Sequence, residues 1–384
     1  MSPRRYFHVE VEIAQSSKHP DSACGDLVRC ERTTDGTTLL CADGIGSGMP
    51  ARIAAGMLAG RVFESFRQGF SLRDAFCCAA STLRRWREPG KPFVAFSLAR
   101  IRTDAMATVL TYDAPPPLYA TPRDAVVLEG RPFPLEGGLA TESTCCLEPG
   151  EGLLLLSDGI TQAGLGGEMP TGWKAEGVAR YVAGLVSEGT KLKSLPRLIE
   201  RRARMMCQVG GDDYTAVLAL CRKGRIVNLL TGPPLCREDD ARVVSEFLSS
   251  DGIKIVCGGV TAEVVAREMR EEVDIERRPA SALAPPRYKI KGIDLVTEGA
   301  VTLNQVSNLW DEDLANLEAN SGVTDLSLLL HAADRVNLFV GGAVNRSHEH
   351  VVFRQQGILS REQVVSMLAQ RFRRDGKLVV VRRV

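Results

Sequence analysis

Residues 6–13, YFHVEVEI, alternate apolar and polar positions, the two-residue period of a strand with one buried face. A strand GTTLLCADG follows at 36–44, then a helix over 50–68 and a second at LRDAFCCAASTLRRW, 72–86. Further strands are predicted at VAFSLARI (94–101), MATVLTY (106–112), PLYATP (117–122) and DAVVLEG (124–130). The next strong apolar run, GEGLLLLSDGITQAG at 150–164, ends in Asp-Gly like the strand at 36–44. Helical spacing returns at 175–189 and 192–206, and GGDDYTAVLALCRKG closes the block at 210–224. Short strands with helices gathered in pairs argue for antiparallel sheets flanked by helices.

Past residue 222 the rhythm changes. Strand RIVNLLTG leads to helix DDARVVSEFLSS, strand IKIVCGG to helix TAEVVAREM, and strand RVNLFVGGAV, through a loop, to helix SREQVVSMLAQRFR and a last strand KLVVVRRV. Such alternation reads as an α/β layer of mostly parallel strands. The expected architecture is therefore an α+β domain over residues 1–222, followed by a smaller α/β domain over 223–384. The Pro- and Ala-rich stretch at 277–288 is expected to be a long loop inside the second domain.

Composition narrows the function. Among 384 residues, 44% apolar and 25% charged are the proportions of a globular protein. A net charge of +1, from 48 basic and 47 acidic residues, gives no electrostatic footprint for nucleic acid. The start lacks the apolar core of a secretory signal, and no run approaches the roughly 20 residues of a membrane span. A cytoplasmic protein with neither nucleic acid nor membrane as partner is the expectation. Eleven cysteines, an odd number, several in apolar runs (Cys41, Cys221, Cys257), suit buried reduced thiols better than a disulfide framework, and no CxxC spacing suggests a structural zinc.

Four places in the first block share one pattern, an Asp beside Gly or Asp at the edge of an apolar strand: Asp26 in CGD, Asp43 in ADG, Asp158 in SDG, and Asp212 with Asp213 in GDD. Any one of them is also what a turn looks like. Four together suggest strand ends converging on one rim, where a few carboxylates would hold a hard divalent ion. A glycine beside each ligand lets backbone approach the ion and leaves room for substrate.

In order and spacing, CGDLVRC, TTLLCADGIGSGMPARIAA, LEPGEGLLLLSDGITQAG and GGDDYTAVLAL resemble the bacterial, sporulation stage II protein E-like branch of the metal-dependent serine/threonine protein phosphatases of type 2C. The resemblance covers residues 6–222 and implies two antiparallel sheets sandwiched between helix pairs, with two divalent cations, Mn or Mg, at one end. It implies Asp26, Asp43, Asp158 and Asp212 as the catalytic metal set, Asp43 bridging both ions, the Gly44 carbonyl reaching one, and Asp213 as a ligand or an orienting residue. A water shared by the ions would then attack a phosphoserine or phosphothreonine of a partner protein directly, in a bacterial signalling role. Ser47 stands where the glycine-rich turn often carries His or Asn. Arg4, Arg5 and Arg29 are candidate phosphate grips, and His8 and His19 candidate acids for the leaving alkoxide; each reads more readily as a surface or structural residue, and none is assigned.

The second domain offers strand–glycine turns at Gly232, at Gly258, Gly259 and Thr261, and at Gly341 and Gly342. The turn CGGVTAE is expected to place the Gly259 and Val260 amides and the Thr261 hydroxyl at a helix start, where a small anionic ligand would bind; tight strand–helix packing explains the same residues. His348 and His350, in the segment 345–357, read as an exposed strand more readily than as a metal site. Two functions remain open: a phosphatase regulated through its C-terminal domain, and a catalytically weak phosphatase-like protein that acts by binding a partner or ligand.

Overall fold

The computed structural model describes residues 6–18, 21–85, 94–135, 138–167, 169–207, 211–275, 288–318, 321–343 and 358–384. Two compact units result, Phe7–Lys223 and a second built on Gly224–Val384 with Tyr6.

In the first unit the strands are β1 (Phe7–Ser16), β2 (Leu27–Thr33), β3 (Gly36–Gly44), β4 (Val94–Arg102), β5 (Met106–Tyr112), β6 (Leu118–Ala120), β7 (Ala125–Val127), β8 (Arg131–Leu135), β9 (Gly138–Cys146), β10 (Gly152–Leu156) and β11 (Tyr214–Lys223). The helices are α1 (Met49–Arg67), α2 (Leu72–Arg85), the single turn α3 (Asp158–Thr161), α4 (Lys174–Ser187) and α5 (Leu195–Met206). One sheet runs β1-β11-β10-β6-β7 and the other β2-β3-β4-β5-β9-β8, every neighbouring pair antiparallel.

The apolar runs at β3 and β11 are continuous because each strand is covered on both faces. Leu40 and Ala42 point to α1 and α2, while Leu39 and Cys41 point to the other sheet. On β11, Ala216, Leu218 and Leu220 meet α4 and α5, while Val217, Ala219 and Cys221 face back across the sandwich. Three apolar layers result, each large side chain adding on the order of 1.5–3 kcal/mol by leaving water. The α+β sandwich between helix pairs expected from the sequence is the fold observed.

The hairpin β8–β9 and strand β2 carry no strong apolar pattern. All seven residues of β2 keep some solvent contact, and β9, GLATESTCC, mixes hydroxyls and a carboxylate with its apolar positions. Their pairing, not their own hydrophobicity, makes them strands.

The second unit comprises β12 (Ile226–Thr231), α6 (Asp240–Ser249), β13 (Ile253–Cys257), α7 (Gly259–Met269), β14 (Asp274–Ile275), β15 (Tyr288–Lys289), β16 (Leu295–Thr297), α8 (Ala300–Asn308), α9 (Gly322–Ala332), β17 (Arg335–Val340), α10 (Arg361–Arg374) and β18 (Leu378–Arg383). The sheet runs β14-β15-β16-β13-β12-β17-β18, with its five main strands parallel. Helices α6 and α7 cover one face, and α8, α9 and α10 the other. Chain order in the parallel part is third, second, first, fourth, fifth, a doubly wound sheet whose direction of winding reverses between β12 and β17. The alternation of strands and helices foreshadows this layer, but β16, α8 and α9 go unrecognised in the sequence. β16 has only three residues, and α8, AVTLNQVSN, is rich in β-branched and polar residues of modest helix propensity. Residues 277–287 and the segment 345–357 with His348 and His350 lie outside the described residues; Tyr288 opens β15.

Candidate metal centre

Antiparallel pairing brings the motif carboxylates to one end of the sandwich. Leu27 of β2 faces Ala42 of β3, so Asp26 and Asp43 leave neighbouring strands side by side. In the other sheet Leu156 faces Ala216 and the Ser157 amide donates to the Thr215 carbonyl at 2.9 Å, so Asp158 comes beside Asp212 and Asp213. The two pairs meet: Asp43 lies within reach of both Asp26 and Asp158, and Asp212 feels the charge of Asp158.

Glycines make this crowding possible. A Cβ on Gly44 would lie 2.3 Å from the Ala51 carbonyl oxygen of α1, and one on Gly159 would lie 2.2 Å from the Asp213 carbonyl oxygen. Both contacts are closer than any side chain tolerates, so the backbones beside Asp43 and Asp158 approach as they do only because these residues are glycine. Gly46 and Gly48 adopt φ of 102° and 74° with no neighbour within 4 Å of a Cβ position, leaving the turn between Asp43 and α1 open. Pro50 occupies the second position of α1.

The electrostatics are those of carboxylates waiting for a cation. Asp26 is wholly buried, and among the described residues neither carboxylate oxygen has a hydrogen-bond partner. Burial raises its pKa to about 6, against the opposing influence of Thr215, Asp43 and Ser157. Asp43 is pushed up to about 10, first by burial and then by Asp158 and Asp26. Burial likewise raises Asp212, partly offset by the Asp213 backbone. Two orphaned buried oxygens and an Asp43 crowded by the carboxylates of Asp26 and Asp158, all hard oxygen donors, fit a magnesium- or manganese-type ion.

Asp213 differs from the other four. Its Oδ1 accepts the Lys18 amide and its Oδ2 the Gly25 amide, both at 2.7 Å. The carboxylate is thus spent on fastening the loop that carries Asp26. Asp212 accepts the Asp213 amide at 2.9 Å through one oxygen, and Gln162 donates to Asp158 Oδ2 at 2.9 Å.

Two neighbours are not among the residues singled out in the sequence. Arg52, in the first turn of α1, donates to the Asp26 carbonyl, as does Gln15 at 3.1 Å, and Gln15 also donates to the Thr215 hydroxyl at 3.0 Å. Nothing in the sequence ties Arg52 or Gln15 to Asp26, because the link is made only by folding. Cys24 is different, since it sits in the CGD motif: its thiol lies within 4.8 Å of carboxylate oxygens of Asp26 and Asp213. All 11 cysteines are free. Of the unassigned candidates, Arg29 pairs with Glu31 at 2.6 Å and lies over the Phe63 ring. His8 is buried in β1 opposite Arg222, and Ser47 is exposed in the glycine turn. Arg4, Arg5 and His19 lie outside the described residues.

A two-sheet sandwich between helix pairs, with aspartates from both sheets gathered at one end, is the architecture of the type 2C class of protein phosphatases. Residues 33–223 match the family model of stage II sporulation protein E, SpoIIE, and this first unit belongs to that family. Among solved structures, the chain is similar to the PP2C phosphatase domain with a regulatory fragment of SpoIIE from Bacillus subtilis, at 17% identity over 57% of this chain and 65% of that one, with a TM-score of 0.48. The RsbU and RsbW domains of a Mycobacterium tuberculosis protein match at 18% identity, covering 64% and 69% of the two chains with a TM-score of 0.46. The SiaA-PP2C domain of Pseudomonas aeruginosa matches at 16% identity over 55% and 85%, with a TM-score of 0.45. The chain thus spans just under two-thirds of the Bacillus subtilis structure. A search of curated proteins returns no match. Among the described residues no helix is long and apolar enough to cross a membrane.

Proposed function

We propose that the first unit hydrolyses phosphoserine or phosphothreonine in a partner protein, using two divalent cations, Mn or Mg, held by Asp26, Asp43, Asp158 and Asp212 with the Gly44 carbonyl. The observation that carries this reading is the convergence of aspartates from both sheets on one rim, with both oxygens of the buried Asp26 left without a hydrogen bond among the described residues. When bound, such a pair of ions lowers the pKa of a water and neutralises charge on the phosphoryl group. The chain's own residues do the rest. Asp213 fastens the Asp26 loop through the Lys18 and Gly25 amides, Gln162 fixes one oxygen of Asp158, and the open turn at Gly46 and Gly48 admits a bulky phosphorylated side chain. The role fits a bacterial signalling phosphatase, with the second unit as its regulatory part.

The test is hydrolysis of p-nitrophenyl phosphate by the full chain with added Mn or Mg. Activity should vanish on chelation and fall at least ~100-fold in Asp43→Asn, beyond the 10–100-fold typical of losing a partner of a metal ligand, with calorimetry showing weakened Mn binding. Hydrolysis indifferent to chelator, or unchanged in the variant, overturns the proposal. Metal binding without hydrolysis of any phosphopeptide would instead favour a phosphatase-like binding protein.

A further inference from the structure

Among the described residues, the second unit holds a half-buried cation that no carboxylate neutralises. Arg361, the first residue of α10, is half-buried, and its guanidinium fills the space above Gly232: a Cβ there would fall 1.4 Å from Nη1. Gly232 takes φ of 78° and is the residue that follows β12. Nη2 donates to the Ala343 carbonyl, and among the described residues no carboxylate pairs with the group. Burial lowers its pKa, and the opposing influence comes from Cys257, whose own thiol burial pushes up to about 12. Glu298, the carboxylate at the end of β16, is already engaged by the Tyr288 hydroxyl at 2.5 Å and the Gly299 amide at 3.4 Å. A guanidinium taken out of water without an anion is unfavourable, so the fold invites one from outside.

The place is the carboxyl edge of a doubly wound sheet beside the point where its winding reverses, where such sheets leave a crevice for ligands. The tips of β13 and β16 end there in glycines, and a Cβ on Gly299 would stand 3.5 Å from the Gly258 Cα. Asn304 of α8 exchanges hydrogen bonds with both backbone groups of Leu359 at 3.0 Å, which brings the start of α8 next to the start of α10. In that first turn of α8 the Thr302 hydroxyl is wholly buried and, among the described residues, without a hydrogen bond. The Thr261 hydroxyl, expected from the CGGVTAE turn to lie at the ligand side of a helix start, accepts the Gly232 amide at 2.9 Å and so ties β12 to α7. The charge at this edge comes from Arg361.

We propose that the carboxyl edge of β12 and β13 binds a phosphate-bearing small molecule, with Arg361 gripping the anion. Inorganic phosphate, AMP and ADP are the probes, titrated calorimetrically into the full chain with chelator present to silence the first unit. At least one should bind saturably, at least tenfold more weakly in Arg361→Gln and unchanged in Asp43→Asn. Hydrogen exchange in the parent should show its protection at residues 231–233 and 258–261, a readout that decides the matter even if Arg361→Gln folds poorly. No saturable binding of the three, equal affinity in Arg361→Gln, loss of binding in Asp43→Asn, or protection confined to the first unit would each overturn the site.

Discussion

Asp43 and Asp213 belong to the same rim and the same residue type, yet their surroundings ask opposite things of them. Asp43 is crowded by Asp158 and Asp26 and is pushed up to about 10; Asp213 is satisfied on both oxygens by backbone amides at 2.7 Å. Replacing Asp213 by Asn turns one acceptor into a donor facing an amide N–H. The expected cost is about 1–3 kcal/mol, a fall of roughly 2–4 °C in melting temperature per kcal/mol for a unit of this size, with Mn affinity changed less than ~10-fold. A loss of Mn affinity beyond ~100-fold at unchanged melting temperature would make Asp213 a ligand after all. The sequence marks both residues through the GDD and ADG motifs, since an acid beside glycine at a strand end is visible in one dimension. It does not separate them, because the Lys18 and Gly25 amides that claim Asp213 are nearly two hundred positions away and arrive only through the pairing of β1 with β11. The same holds for Arg52, whose bond to the Asp26 carbonyl rests on α1 packing against β3.

At the scale of elements, long strands buried on both faces and amphipathic helices announce themselves, and short or polar ones do not. β3 and β11 stand out because two layers claim their alternate residues, whereas β16 is three residues held between its neighbours. Helix α9 carries a further consequence. Its His331 stacks on Trp310 with ring centroids 3.7 Å apart and 12° between planes, and its buried Nε2 has no hydrogen bond among the described residues. Burial, then the charge of Lys377, lowers the pKa below 6.5, against Asp375, Asp311 and the Trp310 backbone. Because the folded state holds this proton less tightly than the unfolded chain does, the stabilisation is present above pH 6.5 and is lost as pH falls through that value toward the folded pKa. The melting temperature of the second unit should therefore fall between pH 7.5 and 5.5. His331→Phe, which keeps an aromatic ring against Trp310 and cannot titrate, should flatten that slope. Identical slopes in parent and variant would show that His331 does not carry the dependence.

At the scale of the whole molecule, the apolar clusters divide cleanly. Those between and outside the two sheets draw only on the first unit, and those on the two faces of the parallel sheet only on the second. The first unit also closes its own sheet end to end: β1 pairs with β11 in one unbroken ladder from Phe7 with Lys223 to Ser16 with Tyr214. Among the described residues no strand of one unit completes a sheet of the other. A unit with its own cores and no borrowed strand meets the conditions for folding alone. We therefore expect a fragment of residues 7–223 to melt in a single cooperative transition and to hydrolyse p-nitrophenyl phosphate with added Mn at a rate within about threefold of the full chain. The hydrolysis should be as sensitive to Asp43→Asn as in the full chain, since every proposed ligand lies inside the fragment. Calorimetry and a metal-dependent rate measured on the same preparation decide this together. A fragment that melts without cooperativity would show that the second unit is needed for the fold of the first. One that melts cooperatively but has lost metal-dependent hydrolysis would show that the second unit acts on the metal centre itself, and that the regulation proposed for it is activation.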